Sequence, residues 1–265
     1  MTRDSKTWAR KRAVAVHDET AGYFLGEYAS DNVHDSPFRY GRSLIDELWT
    51  KVVDELPDGA HCLDIGSGIG AYMARLLKAG LNVRGIEPSA EMRKLSRARV
   101  PEELVTDGSI TDLPVLDRSQ DFIYAIEVFR YLDTSDNMRG HREIFRALKS
   151  GGVFFGTYVN GWALDGYRQL AALQKMRHAL LDTTPRCHVE FETVSSLRRK
   201  LAGVGFGDID IRGAMFAPLR PLHKLSTSAG TKASKWTLPR EKWLSDRALS
   251  RPFAGHLIAI ARRED

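Results

Sequence analysis

Residues 62–70 read CLDIGSGIG, an apolar segment that runs into a turn with three glycines at alternate positions. The apolar half predicts a short strand over residues 61–65, and the residues that follow predict a helix over 69–79 that Gly80 ends. Glycines let the backbone turn tightly and approach a ligand closely, and the first N–H groups of a helix have no partner inside it. A strand, a glycine turn and a helix in this order are typical of a nucleotide-cofactor site.

The glycine turn alone does not identify the nucleotide, because it also fits the loose dinucleotide pattern G-x-G-x-x-A. Asp64 stands two residues before the first glycine, at the end of the predicted strand. A carboxylate there would repel a pyrophosphate, whereas it suits a cofactor that carries an ammonium and a sulfonium cation. Glu87 ends the second predicted strand, where an acid can accept hydrogen bonds from ribose hydroxyls in either kind of protein. Asp64 therefore favours a sulfonium cofactor over NAD.

Strands and helices alternate along most of the chain. The apolar patterns predict further strands over residues 82–87, 104–106, 121–127, 153–159, 209–212 and 256–261. They predict further helices over residues 40–56, 89–98, 136–149, 162–181 and 193–202. Residues 1–40 read as an irregular arm or a few short helices, and residues 213–252 as an irregular insertion. The alternation implies an α/β fold with βαβ crossovers and a mostly parallel sheet covered by helices.

Length and composition set wide bounds on the class of protein. The chain has 265 residues, of which 43% are hydrophobic and 28% charged, as in an ordinary globular domain. Its two cysteines, Cys62 and Cys187, have neither the number nor the spacing of a disulfide framework or a zinc site. The charged N-terminus leads into no apolar segment, and no apolar stretch approaches the roughly 18–20 residues of a membrane helix. We therefore expect a soluble, cytoplasmic protein.

The net charge of +5 is unevenly distributed. Residues 212–251 contain nine Lys and Arg but only two acids, Glu241 and Asp246, so the basic excess belongs to this segment. A solvated surface explains it as well as a footprint for an acidic substrate, nucleic acid or anionic lipid does.

Five segments carry a family resemblance. They are LDIGSGIG at 63–70, GIEPS at 85–89, DGS at 107–109, DFI at 121–123 and LKSGG at 148–152. In this order they resemble the motifs of class I S-adenosylmethionine-dependent methyltransferases, of the small-molecule, ubiquinone/menaquinone-methyltransferase-like type. The resemblance implies a Rossmann-like, seven-stranded, mostly parallel sheet with helices on both faces and an antiparallel last strand. Residues 1–56 would then be an arm and helix that can act as a lid, and residues 57–265 the Rossmann-like domain, with cap insertions at about 160–192 and 213–252.

The resemblance also implies which residues touch the cofactor. In chain order they are Asp64, Gly66, Ser67, Gly68, Gly70, Glu87, Pro88, Met92, Asp107, Gly108, Ser109 and Glu127. The glycines would face the methionine portion, Asp64 would hold its ammonium group and Glu87 the ribose, while Asp107 would accept a hydrogen bond from the adenine amino group. Related enzymes often add an N-terminal aromatic or arginine at the methionine carboxylate, which implies Tyr40 or Arg39 here.

Methyl transfer from a sulfonium is an in-line displacement that depends mainly on positioning, which can supply on the order of 7–11 kcal/mol. A general base is needed only if the acceptor arrives protonated, and it then adds ~10²–10⁴-fold. Tyr131, just after the fourth predicted strand, and His188, before the helix predicted over 193–202, are the candidates for this role.

The acceptor class follows from motifs that are missing. The fourth predicted strand continues into EVFR, which does not match the Asp/Asn-Pro-Pro-aromatic motif of enzymes that methylate amino groups of nucleic acids. Near this strand end the only acids are Glu127 and Asp133, so we expect no metal. A small-molecule acceptor is the leading hypothesis and nucleic acid is not favoured. An RNA- or protein-modifying enzyme that uses residues 212–251, a non-catalytic scaffold and an NAD-dependent oxidoreductase remain alternatives, and the chain could be a monomer or a homodimer.

Overall fold

Seven strands form one sheet in the computed structural model, which describes residues 3–164, 167–181 and 187–264. The strands are β1 (His61–Ile65), β2 (Asn82–Ile86), β3 (Val105–Thr106), β4 (Gln120–Ala125), β5 (Leu148–Val159), β6 (Phe206–Ala214) and β7 (His256–Arg263). Their spatial order is β3-β2-β1-β4-β5-β7-β6. Strand β7 runs antiparallel to both β5 and β6, whereas all other pairs are parallel. The predicted fold class is confirmed.

Helices cover both faces of the sheet. They are α1 (Arg3–Tyr28), α2 (Pro37–Val53), α3 (Ala71–Lys78), α4 (Ala90–Ser96), α5 (Thr134–Ala147), α6 (Tyr167–Leu180), α7 (Val194–Val204), α8 (Leu219–Leu225) and α9 (Thr227–Ser245). Helices α2, α3, α8 and α9 pack on one face, around Trp49 and Met73. Helices α5 and α7 pack on the other face, around Ile144 and Leu201.

The central strand β4 shows why the sheet needs helices on both sides. Its side chains alternate between the two cores, with Phe122 and Tyr124 in one and Ile123 and Ala125 in the other. All four are fully buried. Parallel strands buried on both faces are continuous apolar runs rather than alternating ones, which is the pattern seen here.

The N-terminal segment differs from the prediction. Instead of an irregular arm, residues 3–28 form the single 26-residue helix α1. Its apolar residues form no continuous stripe, which is why its periodicity did not predict a helix. Polar contacts to the rest of the protein hold it: Ser89 donates to Asp18 at 2.5 Å, and Arg10 pairs with Asp136 at 2.9 Å.

The basic segment 213–252 was also predicted wrongly, because most of it forms the helices α8 and α9. The side of α9 that faces the core is polar, which hides the amphipathic pattern from a reading based on hydrophobicity. Glu241 accepts the backbone N–H groups of Phe216 and Ala217 at 3.0 and 2.9 Å, and Thr237 bonds to the Tyr40 hydroxyl at 2.9 Å. A proline inside α9 further argued against a helix, and it lies on the exposed side.

The remaining differences are at the ends of elements. Strand β5 begins before the Gly151-Gly152 pair rather than after it, and the helix predicted over 162–181 is Tyr167–Leu180. Ser89 caps α4 as predicted, accepting the N–H of Met92 at 3.1 Å. Within the described ranges, no helix combines the length and apolar character needed to cross a membrane.

Candidate active site

A cavity of about 1470 Å³ opens at the carboxyl ends of the parallel strands. The strand order reverses between β1 and β4. Strands β2 and β3 lie on one side of β1, whereas β4, β5 and β7 lie on its other side. A crevice at such a reversal is the usual ligand site of an open α/β sheet. Helices α1, α2, α6 and α8 supply the rest of the wall.

The glycine turn lies at the floor of this cavity. Gly66 and Gly68 have φ angles of 72° and 53°, in the left-handed region that favours glycine. The N–H groups of Gly66 and Ser67 donate to the carbonyl of Ile86 at 2.8 and 3.1 Å, which ties the turn to the end of β2. A Cβ at Gly66 would lie 2.6 Å from a methyl of Val128. The turn therefore requires glycine both for its backbone and for its close packing.

Asp64 is a buried carboxylate with an unused acceptor. Its residue is 3% exposed, it lines the cavity, and its Oδ2 has no hydrogen-bond partner in the part of the chain that the structure describes. Burial raises the pKa of Asp64 to about 8, although the nearby Tyr124 hydroxyl opposes the shift and the Glu87 carboxylate adds to it. An orphaned buried carboxylate is costly unless a cation or donor pairs with it, so this position is suited to a cationic ligand group.

Glu87 is fixed between the glycine turn and α4. Its Oε2 accepts the N–H of Gly68 and its Oε1 accepts the N–H of Ser89, both at 2.8 Å. A carboxylate has about four acceptor sites, so each oxygen keeps one for a ligand. Burial raises the pKa of Glu87 despite these two bonds. The geometry presents two adjacent acceptors, as a ribose diol requires.

The wall beyond Glu87 combines an apolar side chain with polar ones. Met92 is buried and lines the cavity together with Pro88, Asp107, Gly108 and Ser109. Asp107 is mostly exposed and pairs with Arg93 at 3.2 Å, and Arg10 of α1 donates to Ser109 Oγ at 3.3 Å. Helix α1 thus closes this side of the cavity.

Glu127 lies at the end of β4 with a φ of 60°, a conformation that is strained for a residue with a side chain. Its N–H donates to Thr157 Oγ1 at 2.7 Å, Arg130 Nη1 donates to its Oε2 at 2.7 Å, and His256 Nε2 lies 3.2 Å from its Oε1. Burial acts to raise the pKa of Glu127, but His256 and Arg130 outweigh it and hold the pKa well below the ordinary value. Glu127 is therefore an anion that the protein itself neutralises.

Tyr131 lines the cavity next to this cluster. Its ring packs edge-on against His17 of α1, with 4.9 Å between the centroids. Burial raises the pKa of Tyr131 to about 12, although Arg130 opposes the shift. The phenol is thus protonated at neutral pH.

Four of the predicted residues do not line the cavity. Gly70 caps α3 with a φ of 76° and supports the turn from behind. Tyr40 is fully buried under α9, and Arg39 is turned towards Glu27, with Nε–Oε2 at 3.4 Å. His188 pairs with Glu190 at 3.2 Å outside the cavity wall. The structure thus places Tyr40, Arg39 and His188 outside the cavity wall, and the roles predicted for them remain predictions.

The structure adds residues that the sequence reasoning had not assigned to the site: Arg10, Arg42, Arg130, Tyr167, Arg220 and His256. Half of them lie on α1, α6 and α8, whose positions no sequence motif predicts. Arg130 alone had a local signal, since it stands three residues after Glu127. Among the described residues no group of three or more His, Cys, Asp or Glu side chains is arranged to hold a metal ion.

Comparison with known proteins agrees with this geometry. A family model described as a methyltransferase domain matches residues 63–156. The malonyl-[acyl-carrier protein] O-methyltransferase of Pectobacterium atrosepticum is 30% identical over 167 residues, which are 56% of this chain and 64% of that protein. The sterol 4-C-methyltransferase strm-1 of Caenorhabditis elegans is 27% identical over 142 residues, 49% of this chain and 42% of that protein. The chain thus spans less than two thirds of the length of either relative.

A solved structure with a similar fold is a possible histamine N-methyltransferase from Thermotoga maritima. It has a TM-score of 0.59 and 17% identity, and the match covers 94% of this chain and 99% of that one. Such low identity shows likeness of fold alone. The family model identifies a methyltransferase domain over residues 63–156, and the solved structure shares the fold over 94% of the chain.

Proposed function

We propose that the protein transfers the methyl group of S-adenosylmethionine to a small-molecule acceptor. The observation that carries the proposal is Asp64, a buried carboxylate with an unpartnered oxygen beside a glycine turn. A pyrophosphate cofactor would meet repulsion there, whereas an ammonium group would relieve the cost of burying the carboxylate.

The residues at the strand ends fit the cofactor part by part. Asp64 would pair with the ammonium group, and Glu87 would accept both ribose hydroxyls with the two acceptor sites that Gly68 and Ser89 leave open. Met92 would pack on the adenine, and Asp107 would accept from its amino group. When bound, S-adenosylmethionine supplies a methyl group that its sulfonium has already activated.

The protein's own contribution is placement and exclusion of water. Helix α1 lines the cavity from Arg10 to Tyr28, and Arg130 and His256 hold the Glu127 side chain in place beside the glycine turn. Holding two reactants in line can supply on the order of 7–11 kcal/mol. Tyr131, with its proton retained at neutral pH, would donate a hydrogen bond to the acceptor rather than act as a base.

A small acceptor is favoured over RNA because part of the basic segment is already neutralised by ion pairs within the described residues. Arg212 pairs with Asp246 at 2.9 Å, and Lys242 pairs with Glu47 at 2.7 Å. The names of the two relatives, which concern a malonyl group on an acyl-carrier protein and a sterol, also favour acceptor groups other than a nucleic acid. RNA binding at low salt that weakens steeply as salt rises would instead favour the nucleic-acid alternative.

The test begins with S-adenosylhomocysteine, the demethylated product. At a concentration of about 100 Kd it should stabilise the folded protein by about 2.7 kcal/mol in thermal melting. NAD, the matched alternative ligand, should give no shift, and stabilisation by NAD alone would contradict the proposal. Transfer of labelled methyl from S-adenosylmethionine to a pool of small metabolites then tests the reaction. Binding of the cofactor without any methyl transfer would instead indicate a non-catalytic scaffold.

A further inference from the structure

Carboxylates are unevenly distributed across the cavity at the point where the strand order reverses. Three of them, Asp64, Glu87 and Asp107, lie near the carboxyl ends of β1, β2 and β3, all on the side assigned above to the cofactor. On the other side, beyond β4 and towards β7 and α8, the cavity wall is mainly cationic and apolar. This half is where an acceptor has room.

Among the described residues, Glu127 is the only acid that lines the second half, and neighbouring side chains neutralise its charge. Arg130 and His256 both contact its carboxylate, at 2.7 and 3.2 Å. Arg130 is held by a second contact as well, because its Nη2 donates to the hydroxyl of Tyr167 at 2.6 Å. This cluster therefore gives the acceptor half no free negative charge.

Two further cations line the same half without such compensation. Arg220 and Lys224 lie one turn apart on α8, and within the described ranges neither forms an ion pair with a carboxylate. The guanidinium of Arg220 lies 4.7 Å from the ring centroid of Tyr167, so its edge remains available for an anion. The net charge that faces an acceptor is thus positive.

The remaining surface of this half is apolar and aromatic. Its walls include Phe24, Phe38, Ile45 and Met215. Arg42 stands among them with its guanidinium 4.5 Å from the ring centroid of Tyr28. Such a lining with a few placed charges is the usual composition of a site for an apolar small molecule with one polar handle.

We propose that the acceptor is an apolar molecule bearing a carboxylate or phosphate group, whose anion Arg220 and Lys224 bind while its apolar body fills the space between α1, α2 and α8. This inference deepens the function proposed above and rests on it. Arginine binds either anion through two parallel hydrogen bonds, and a lysine beside it adds charge.

The experiment measures ligand preference by calorimetry on the protein saturated with S-adenosylhomocysteine. The probes are dodecanoate, dodecyl phosphate, dodecylamine and dodecanol below their micelle concentrations, with 2-naphthoate and 2-naphthylamine as a rigid pair. We expect at least one anion to bind ten-fold or more tightly than its matched amine, and the stronger of the carboxylate and the phosphate identifies the handle. Equal binding of anion, amine and alcohol, or binding of none of the probes, would overturn the proposal.

Substitutions assign the preference to α8. In the double variant Arg220→Gln, Lys224→Gln, anion binding should fall at least ten-fold while dodecanol binding is unchanged. Lys232→Gln, which removes an exposed charge on α9 outside the cavity, is the matched control and should behave as the wild type. An unchanged anion preference in the double variant would refute the assignment.

S-adenosylhomocysteine is titrated separately into the wild type and the double variant. Equal affinity shows that the double variant is folded with its cofactor half intact. If the wild type itself fails to bind S-adenosylhomocysteine, the proposed function falls, and the anion preference is still measured on the unliganded protein.

Discussion

Lowering the pH from 7.5 to 6.0 should weaken the binding of S-adenosylhomocysteine about 25-fold, because Asp64 must be ionised to hold the ammonium group. With a pKa of about 8 in the free protein, roughly a quarter of the molecules carry the Asp64 carboxylate at pH 7.5 and about one in a hundred at pH 6.0. The apparent Kd is the intrinsic value divided by the competent fraction. The ratio of the two fractions gives the expected change, which is about 1.9 kcal/mol.

The assay is calorimetric titration at several pH values between 6.0 and 7.5. The control is Asp64→Asn, which cannot titrate and has nearly the same shape. The affinity of this variant for S-adenosylhomocysteine should be weaker than that of the wild type at pH 7.5 and almost constant over the range. Any pH dependence that comes from the ligand itself appears in the variant and can be subtracted from the wild-type result. A wild-type Kd that changes less than three-fold, or equal slopes in the two proteins, would refute the reasoning about Asp64.

Three further outcomes are expected. Glu87→Gln should weaken S-adenosylhomocysteine binding at least ten-fold in the same titration, because an amide replaces one of the two acceptor oxygens with a donor, whereas Glu91→Gln on the surface should have no effect. Gly66→Ala should lower the free energy of unfolding in urea by about 1–3 kcal/mol, since the φ of Gly66 is positive and a neighbouring methyl is too close to the added Cβ. Gly203→Ala, a helical position in α7 where the added Cβ meets open space, should raise it by about 0.5–1 kcal/mol. A lower free energy of unfolding in both variants would contradict the argument. Burial lowers the pKa of His141 to about 3, so this side chain stays neutral in the folded state, while in the unfolded chain it takes up a proton below about pH 6.5. The free energy of unfolding in urea should therefore fall by up to ~1.4 kcal/mol for each pH unit as the pH is lowered from 6 to 4. The variant His141→Gln should lack this contribution to the slope.

The sheet and the residues that meet at the glycine turn were predictable because their chemistry is local. A glycine turn, an acid at a strand end and the next strand ending in Glu87 each lie within a few residues of sequence. Parallel topology then brings the ends of β1, β2 and β3 to one edge without further information. All but one of the residues predicted from the five motifs line the cavity, the exception being Gly70, which supports the turn from behind.

The acceptor half was not predictable because tertiary contacts build it. Helix α1 has no apolar stripe and is held in part by polar contacts of Arg10 and Asp18, and α9 turns polar side chains inward. Tyr40 therefore satisfies its hydroxyl on Thr237 rather than on a ligand. A hydrogen bond between residues 197 positions apart produces no pattern in the local spacing of apolar residues.

The position of β7 has a consequence for the order of synthesis. This strand comes last in the chain, yet it lies inside the sheet, between β5 and β6. The long edge of β5 is complete at Val159 but stays unpaired until His256–Arg263 has left the ribosome. At about 5–20 residues per second that delay lasts roughly 5–20 s. Throughout it the nascent protein exposes the seven-residue edge 153–159, the kind of surface that pairs with other chains.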